Sequence, residues 1–373
     1  MTTRRNFLKN TTMLAAGLGV SPLLSSSPLR SYQKEEVING KVRIAVIGVG
    51  MGCRDLQGAL TDNPWVHCVG MCDVNKVRLE EQLARFKKDF PEQTVSIKAY
   101  TDFREVLANK EIDGVIIATP DHWHPYIFAE ALKAGKAIYV EKPVGNSISE
   151  CNAMMDFQKK YKGVVTTGLW QTSQRYFRAA NEILKSGVLG DVYKVQLWLC
   201  QSTNPRPSVE DSEAPSTLDY DMWLGPAPER PFNNSRFRGW RGFWDYGGGQ
   251  QTDWGVHWID SAFDGLKALG LCDREYPDAV FSIAYKDPAS FNETPSCQTS
   301  IFQYKNFHIE WAQQVAYLYN RNQGVAWVGS KATLVCNREG YELIPEKTRD
   351  GILLADKAQL VGKCDYTASC GYH

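Results

Sequence analysis

Short apolar runs at residues 44–47, 66–73, 115–119 and 137–140 punctuate the first half of the chain, and each ends in glycine, aspartate or another polar residue. Runs of this length with such ends read as buried strands of a parallel sheet. Between them, residues 54–60 predict a short helix and residues 126–134 a longer one. Residues 77–89 predict an amphipathic helix with Val77, Leu79, Leu83 and Phe86 on its apolar face. Residues 163–167 add a last strand. This alternation predicts a doubly wound α/β domain, whose ligands lie beyond the carboxyl ends of its strands.

The pattern changes after residues 167–174, where the domain boundary is expected. Strands follow at residues 192–199, 279–285, 298–304, 308–315, 325–328 and 333–336. Val192, Val195, Leu197 and Leu199 alternate imperfectly, which fits a sheet covered on one face. An open face or edge of such a sheet favours pairing with another chain, so a homo-oligomer, dimer or tetramer, is expected. The expected organisation is a leader and linker over residues 1–35, a dinucleotide-binding domain over 40–170, an α+β domain over 171–345 and an atypical tail over 346–373. No convincing amphipathic helix is visible in that tail.

The first strand runs into Gly48-Val-Gly50-Met51-Gly52, where glycines allow a tight turn and close approach of a pyrophosphate to a helix N-terminus. The third glycine comes one residue early for the dinucleotide fingerprint, and an ordinary tight turn gives the same pattern. Some 25 residues after Gly48, Asp73 ends the second strand, close to the spacing of a ribose-binding carboxylate. An acid there favours NAD over NADP, although Arg78 supplies a nearby cation for a 2′-phosphate. A helix cap is the bland role for Asp73. Gly48, Asp73, Thr119 and Lys142 all fall at strand ends, consistent with one crevice.

The glycine turn, Ala118-Thr119-Pro120-Asp121-His122-Trp123-His124, Glu141-Lys142-Pro143, Gly190-Asp191 before a strand and Asp253-x-x-x-His257 together resemble the glucose-fructose oxidoreductase, inositol dehydrogenase and related (Gfo/Idh/MocA) oxidoreductases over residues 40–340. The resemblance implies a Rossmann domain for NAD or NADP, followed by an α+β domain with an open, mainly antiparallel sheet that covers the nicotinamide and often forms the oligomer interface. It matches the family's catalytic lysine to Lys142 and its acid and histidine to Asp253 and His257. Relatives generally continue into a helical segment that returns to the first domain, so residues 346–373 depart from the pattern.

The residue types suit the chemistry. Oxidising a secondary alcohol sends a hydride to nicotinamide and the hydroxyl proton to a base. His257 suits that role, with Asp253 one helical turn earlier to orient it, while Lys142 faces the reacting oxygen and is itself an alternative base. The loop of Thr119, Pro120, His122, Trp123 and His124, together with Glu141, is expected against the cofactor. His122 and His124 bracket one residue, but no third ligand accompanies them, so no metal is expected. The ten cysteines show no paired spacing, and Cys68 and Cys72 read as small core residues.

Residues 218–246 are dense in aromatic and charged side chains. Arg236, Trp240, Arg241 and Trp244, with Gln171 and Arg175 from the end of the first domain, are the candidate carbohydrate contacts. The plain alternative is a segment that packs over the sheet.

The 42 basic and 42 acidic residues balance, which gives no electrostatic case for nucleic acid or anionic membrane. Arg4-Arg5 ahead of a short apolar segment resembles a twin-arginine export signal, placing the protein in the periplasm or beyond. No later segment is apolar for long enough to span a membrane. Export of a folded chain implies tightly held NAD, recycled in place. The expected function is oxidation of a ring hydroxyl of a sugar, glycoside or cyclitol to a ketone. NAD-dependent glycoside hydrolysis through transient oxidation is the alternative, and a noncatalytic sugar-binding relative the third.

Overall fold

The computed structural model describes residues 41–50, 65–91, 97–200, 207–272, 276–313 and 318–355. The expected export signal, the helix at 54–60, Met51, Gly52 and the end of the tail lie outside the described residues.

Six parallel strands form the first sheet: β1 (Val42–Ile47), β2 (Val66–Cys72), β3 (Lys98–Tyr100), β4 (Gly114–Ile117), β5 (Ala137–Val140) and β6 (Val165–Thr167). Their order is β3-β2-β1-β4-β5-β6, the dinucleotide-binding arrangement, with its reversal at β1 and β4. β4 is buried throughout, as an apolar run covered on both faces must be. Helices α1 (Lys76–Asp89), α2 (Phe103–Ala108), α3 (His124–Lys133) and α4 (Ile148–Tyr161) connect the strands. On α1, Leu79 and Phe86 are buried as the periodicity requires, but Val77 is exposed. The cap of α1 is Asn75, whose side chain accepts from Arg78 N, so Asp73 is released from the capping role.

The second sheet has seven strands: β7 (Val192–Leu199), β8 (Ala279–Tyr285), β9 (Cys297–Gln303), β10 (His308–Gln313), β11 (Gln323–Gly329), β12 (Ala332–Asn337) and β13 (Gly340–Pro345). Their order is β13-β12-β11-β7-β10-β9-β8. The pair β7 and β10 is parallel and the other pairs are antiparallel. One face is covered by α5 (Arg175–Lys185) and by α8 (Val256–Ala268), which brings Phe177, Leu184, Trp258 and Leu266 against Trp311, Val325 and Trp327. Two short helices, α6 (Tyr220–Leu224) and α7 (Asn234–Arg238), lie between β7 and α8. Residues 346–355 form no helix; they fold back by backbone bonds from Glu346 N to Lys331 O and Leu354 N to Glu346 O, and bury Ala355.

The segment carrying α6 ties the halves together. Leu218 bridges Asn75, Lys76 N donates to Thr217 O, and Asp219 N donates to Val74 O, just beyond the Asp73 strand end. Its apolar side chains form their own cluster around Trp223, Phe232, Phe243 and Tyr246.

Close approach of α8 to the sheet depends on Gly265, where an added Cβ would lie 2.5 Å from the buried Trp327 ring. Gly265→Ala should therefore cost about 1–3 kcal/mol through overpacking. Urea unfolding checks this, and an unchanged midpoint would contradict the packing.

Candidate functional site

The crevice begins at the end of β1. Gly48 has φ +88°, and a Cβ there would sit 2.6 Å from Ala118 O and 2.7 Å from Thr119 N, so a side chain is excluded on both counts. Asp73 is buried and spans the turn: Oδ2 accepts from Val49 N at 3.0 Å and Oδ1 from Asn75 N at 2.8 Å. Burial raises its carboxyl above the ordinary range, opposed by those two N–H groups and by Arg78. Each oxygen keeps a lone pair for a ribose hydroxyl. The Arg78 guanidinium stands 3.7 Å from the position a Cβ on Gly50 would take. Thr119 Oγ1 is buried without a partner. A strand-end glycine turn, a buried acid and an orphaned hydroxyl fit a dinucleotide, and Arg78 keeps either cofactor open.

Lys142 follows β5 and meets Asp253 from the other half of the chain. Its Nζ donates to Asp253 Oδ1 at 2.6 Å and to Asp253 O at 2.8 Å. Arg241 Nε lies 3.0 Å from the same Oδ1. Burial raises the Asp253 carboxyl, but Arg241 and Lys142 outweigh it and hold the group below its ordinary range.

The expected hydrogen bond from Asp253 to His257 is absent. Residues Gln251–Gly255 form a π turn that leads into α8, which changes the angular offset that four residues have in an α-helix. Asp253 thus engages Lys142 and Arg241, and His257 Nδ1 is buried without a hydrogen-bond partner. His257 is pushed down to about 3 by burial first and by Lys142 and Arg338 next, with Asp253 opposing. It is a neutral imidazole at physiological pH. The Trp170 ring meets it edge to face at 5.7 Å.

Several expected ligand contacts are structural. His124 places Nδ1 2.7 Å from Pro143 O and Nε2 2.9 Å from Thr119 O; the neutral ring donates to one of these carbonyls and lies, buried, between the Lys142 turn and the end of β4. His122 Nε2 and Trp123 Nε1 both reach Trp223 O at 3.0 Å. Trp123 packs on Phe103 and Tyr126, and leaves no room for a side chain on Gly225. These two residues brace the halves; the expected packing of Trp123 beside nicotinamide is replaced by burial. Pro120 starts the Asp121–Trp123 turn. Glu141 accepts from Lys142 N and from the Tyr139 hydroxyl, at 3.2 and 3.3 Å. Among the described residues, no group of three His, Cys, Asp or Glu could hold a metal ion.

The candidate substrate residues divide. Gln171 is fully buried, donating to His257 O and Ser261 Oγ while Arg338 Nε donates to its Oε1, so its amide serves the protein. Arg236 is buried over Phe243 and Phe291 and donates to Pro231 O. Both are corrected from substrate contacts to braces, because Gln171 has its amide engaged by protein groups and Arg236 is buried against aromatic rings. Arg175 lies over the Tyr176 ring and donates to its hydroxyl. Arg241 stacks 4.2 Å from the centre of the half-buried Trp240 ring and reaches the cluster through Asp253; Trp244 is exposed. The sequence missed Arg338, held over Trp170 and Trp254 at 4.7 and 4.8 Å beside His257. It also passed over the buried Asp121 near Arg241, which lies within the Ala118–His124 motif. Arg338 falls in no spacing that signals chemistry.

The oxidoreductase family described by its NAD-binding Rossmann fold matches residues 42–169, and that family's C-terminal alpha/beta domain matches residues 178–267. An alpha-N-acetylgalactosaminidase of Tannerella forsythia is 33% identical over 163 residues, covering 40% of this chain and 34% of that protein. An inositol 2-dehydrogenase of Salmonella typhimurium is 24% identical over 151 residues, covering 40% and 43%. The match thus spans less than half the length of either relative. The WlbA dehydrogenase of Bordetella pertussis, solved with NADH and UDP-GlcNAcA, shares the fold with a TM-score of 0.60 at 18% identity, over 79% of each chain.

Burial pushes both His122 and His124 down to about 4. Unfolded imidazoles titrate near 6.5, so between these values the unfolded chain binds protons that the folded chain refuses. Their contribution is complete above pH 6.5 and is lost as pH falls toward 4, about 2 kcal/mol per histidine by pH 5. The melting temperature should fall from pH 7 to pH 5, and less so in His122→Gln; equal pH dependence in the two proteins would refute this account.

Proposed function

From the premise that the chain belongs to the Gfo/Idh/MocA oxidoreductase family, we propose that it is an exported NAD-dependent dehydrogenase that oxidises a ring hydroxyl of a sugar, glycoside or cyclitol to a ketone. The observation that carries this reading is the convergence of Lys142, Asp253 and neutral His257 at the strand ends beside the glycine turn. A bound nicotinamide supplies the hydride acceptor. The protein's part is to orient and to move the proton. Two Lys142 N–H groups are engaged by Asp253, and the third donates to the substrate oxygen, stabilising negative charge as it develops. Of the two candidate bases, His257 is unprotonated with Nδ1 unengaged and so open to the hydroxyl proton, although burial makes it a weaker base than an ordinary imidazole. The charges of Lys142, Asp253 and His257 are coupled, so a pH profile reports the cluster and not one member.

The Arg4-Arg5 leader supports twin-arginine export with the cofactor carried in the folded chain, and so tight NAD retention. A second reading, transient oxidation followed by elimination from a glycoside, draws support from the similarity to the alpha-N-acetylgalactosaminidase. Product stoichiometry separates the two: dehydrogenation yields one keto-sugar per cofactor reduced, whereas hydrolysis releases aglycone with no net oxidised sugar. The protein purified without added nucleotide should release NAD or NADH on denaturation, read by mass spectrometry. Lys142→Met and His257→Asn should each lower kcat about a hundredfold or more. Unaltered turnover in either would remove the assignment.

Pairing through the second sheet completes the reading. Phe281, Ile283 and Tyr285 of the edge strand β8, with Ile301 on β9 opposite Phe281, present an exposed apolar face. Alternation along a strand sets these four on one side. The protein should sediment as a dimer or tetramer, and a Phe281→Asp, Ile283→Asp pair should dissociate it; a monomeric parent would exclude this association.

A further inference from the structure

A base must be aimed as well as unprotonated, and a histidine is usually aimed by a hydrogen bond at one ring nitrogen. A carbonyl oxygen stands at a ring nitrogen of His122 and of His124, whereas His257 Nδ1 is buried without a hydrogen-bond partner. Packing is left to orient this ring. The Trp170 ring meets the imidazole edge to face, at 5.7 Å and 68°. The aim of His257 therefore depends on what holds Trp170.

Arg338 holds it. The guanidinium centre lies 4.7 Å from the centre of the Trp170 ring, 4.8 Å from that of Trp254 and 6.0 Å from that of Trp258. A planar guanidinium stacks on aromatic faces in this way, and the contact is strengthened where water is kept out. Arg338 Nε also donates to Gln171 Oε1 at 2.9 Å. The Gln171 amide in turn donates to Ser261 Oγ at 2.9 Å and to His257 O at 3.3 Å, and Ser261 Oγ donates to the same carbonyl at 2.9 Å. One side chain thus touches both the residue that packs on the His257 ring and the residue that engages the His257 backbone.

Both ends of this clamp are fixed. Arg338 leaves the turn between β12 and β13, where the buried Asn337 Oδ1 accepts from Arg321 Nη1 at 2.7 Å, Glu339 N at 2.9 Å and Gly340 N at 3.1 Å. Trp170 and Gln171 follow β6 at the end of the Rossmann half. Just ahead of them, a Cβ on Gly168 would lie 2.7 Å from Glu141 Oε2, so this turn is pressed against the neighbour of Lys142. Arg338 reaches from the second sheet to that turn, and the two meet beside His257.

We propose that Arg338 is a positioning residue for the reaction: through Trp170 and Gln171 it fixes the orientation of the His257 imidazole. This rests on the reading of His257 as the base and adds the device that aims it.

The NAD-loaded full chain is assayed on D-glucose, D-galactose, myo-inositol and methyl β-D-glucoside, and the best of these is carried forward. Turnover is expressed per bound cofactor, so that loss of folded protein does not count. Arg338→Met should lower kcat about tenfold or more with little change in KM, as a misaimed group does. In a His257→Asn background the same substitution should cost less than about twofold, because a residue that acts through His257 has nothing further to lose there. Arg338→Lys should retain part of the rate, since an ammonium keeps the cation over the rings but not the planar stack. It carries the same cycle if Arg338→Met does not fold. Crystal structures of the parent and the Arg338 variant give a readout independent of turnover: the Trp170 and His257 rings should turn while Lys142 keeps its contact with Asp253. Unmoved rings, or an equal loss of kcat in both backgrounds, would overturn the proposal. Rings that turn in a protein whose His257→Asn variant works as well as the parent would uphold the positioning and refute His257 as the base.

Discussion

One carboxylate oxygen organises the crevice. Asp253 Oδ1 takes Lys142 from the Rossmann half and Arg241 from the loop ahead of α8, so the two halves of the chain meet at a charged contact. Removing a partner from such a partly buried network leaves charge uncompensated, which costs more than the network itself contributes. The contact is therefore a poor source of stability and a strict geometric constraint. The backbone after β5 places Lys142 where the strands of the first sheet end, and Asp253 holds its ammonium group.

Around that contact, the histidines divide into fasteners and chemistry. His124 lies between Pro143 O and Thr119 O and donates to one of them, and His122 shares Trp223 O with Trp123. Each is buried and neutral, with a carbonyl at hydrogen-bond distance. His122 Nδ1 and His257 Nδ1 are both buried without a partner, and Lys142 and Arg338 reinforce the neutral form of His257. Burial thus sets the protonation state of all three, and a carbonyl partner sets the ring orientation of His122 and His124 but not of His257.

Much of the fold was legible because apolar runs and parallel strands share a simple signature. The runs ending at Gly48, Asp73, Thr119 and Glu141 lie at strand ends in the structure, and β7 to β12 fall within a few residues of their expected positions. β3 was not legible, since only Tyr100 of its three residues is buried. α4 escaped because Met154 is its one buried residue and Ile148 is exposed, although the Ser147 and Glu150 capping box was there to be read. At the site, the ion pair between Lys142 and Asp253 was not legible. Gln171 and Arg236 were misjudged because a polar side chain beside aromatics looks the same in sequence whether it faces a ligand or braces a core.

The pairing error has a specific source. Reading Asp-x-x-x-His as one helical face assumes 3.6 residues per turn. The chain instead widens to a π turn over Gln251–Gly255, and there the main-chain carbonyl of Asp253, which an α-helix would engage internally, accepts from Lys142 Nζ. Both the side chain and the backbone of Asp253 are thereby committed to Lys142, and His257 is left to the substrate side of the cluster. Irregular helical turns that redirect one residue are found at functional sites because they re-aim a side chain without moving the helix that follows. Here α8 keeps its packing on the second sheet through Trp258, Ala262 and Leu266, while the turn ahead of it sets the polar geometry. The local departure from regular structure, invisible to periodicity, is what separates the acid's role from the histidine's.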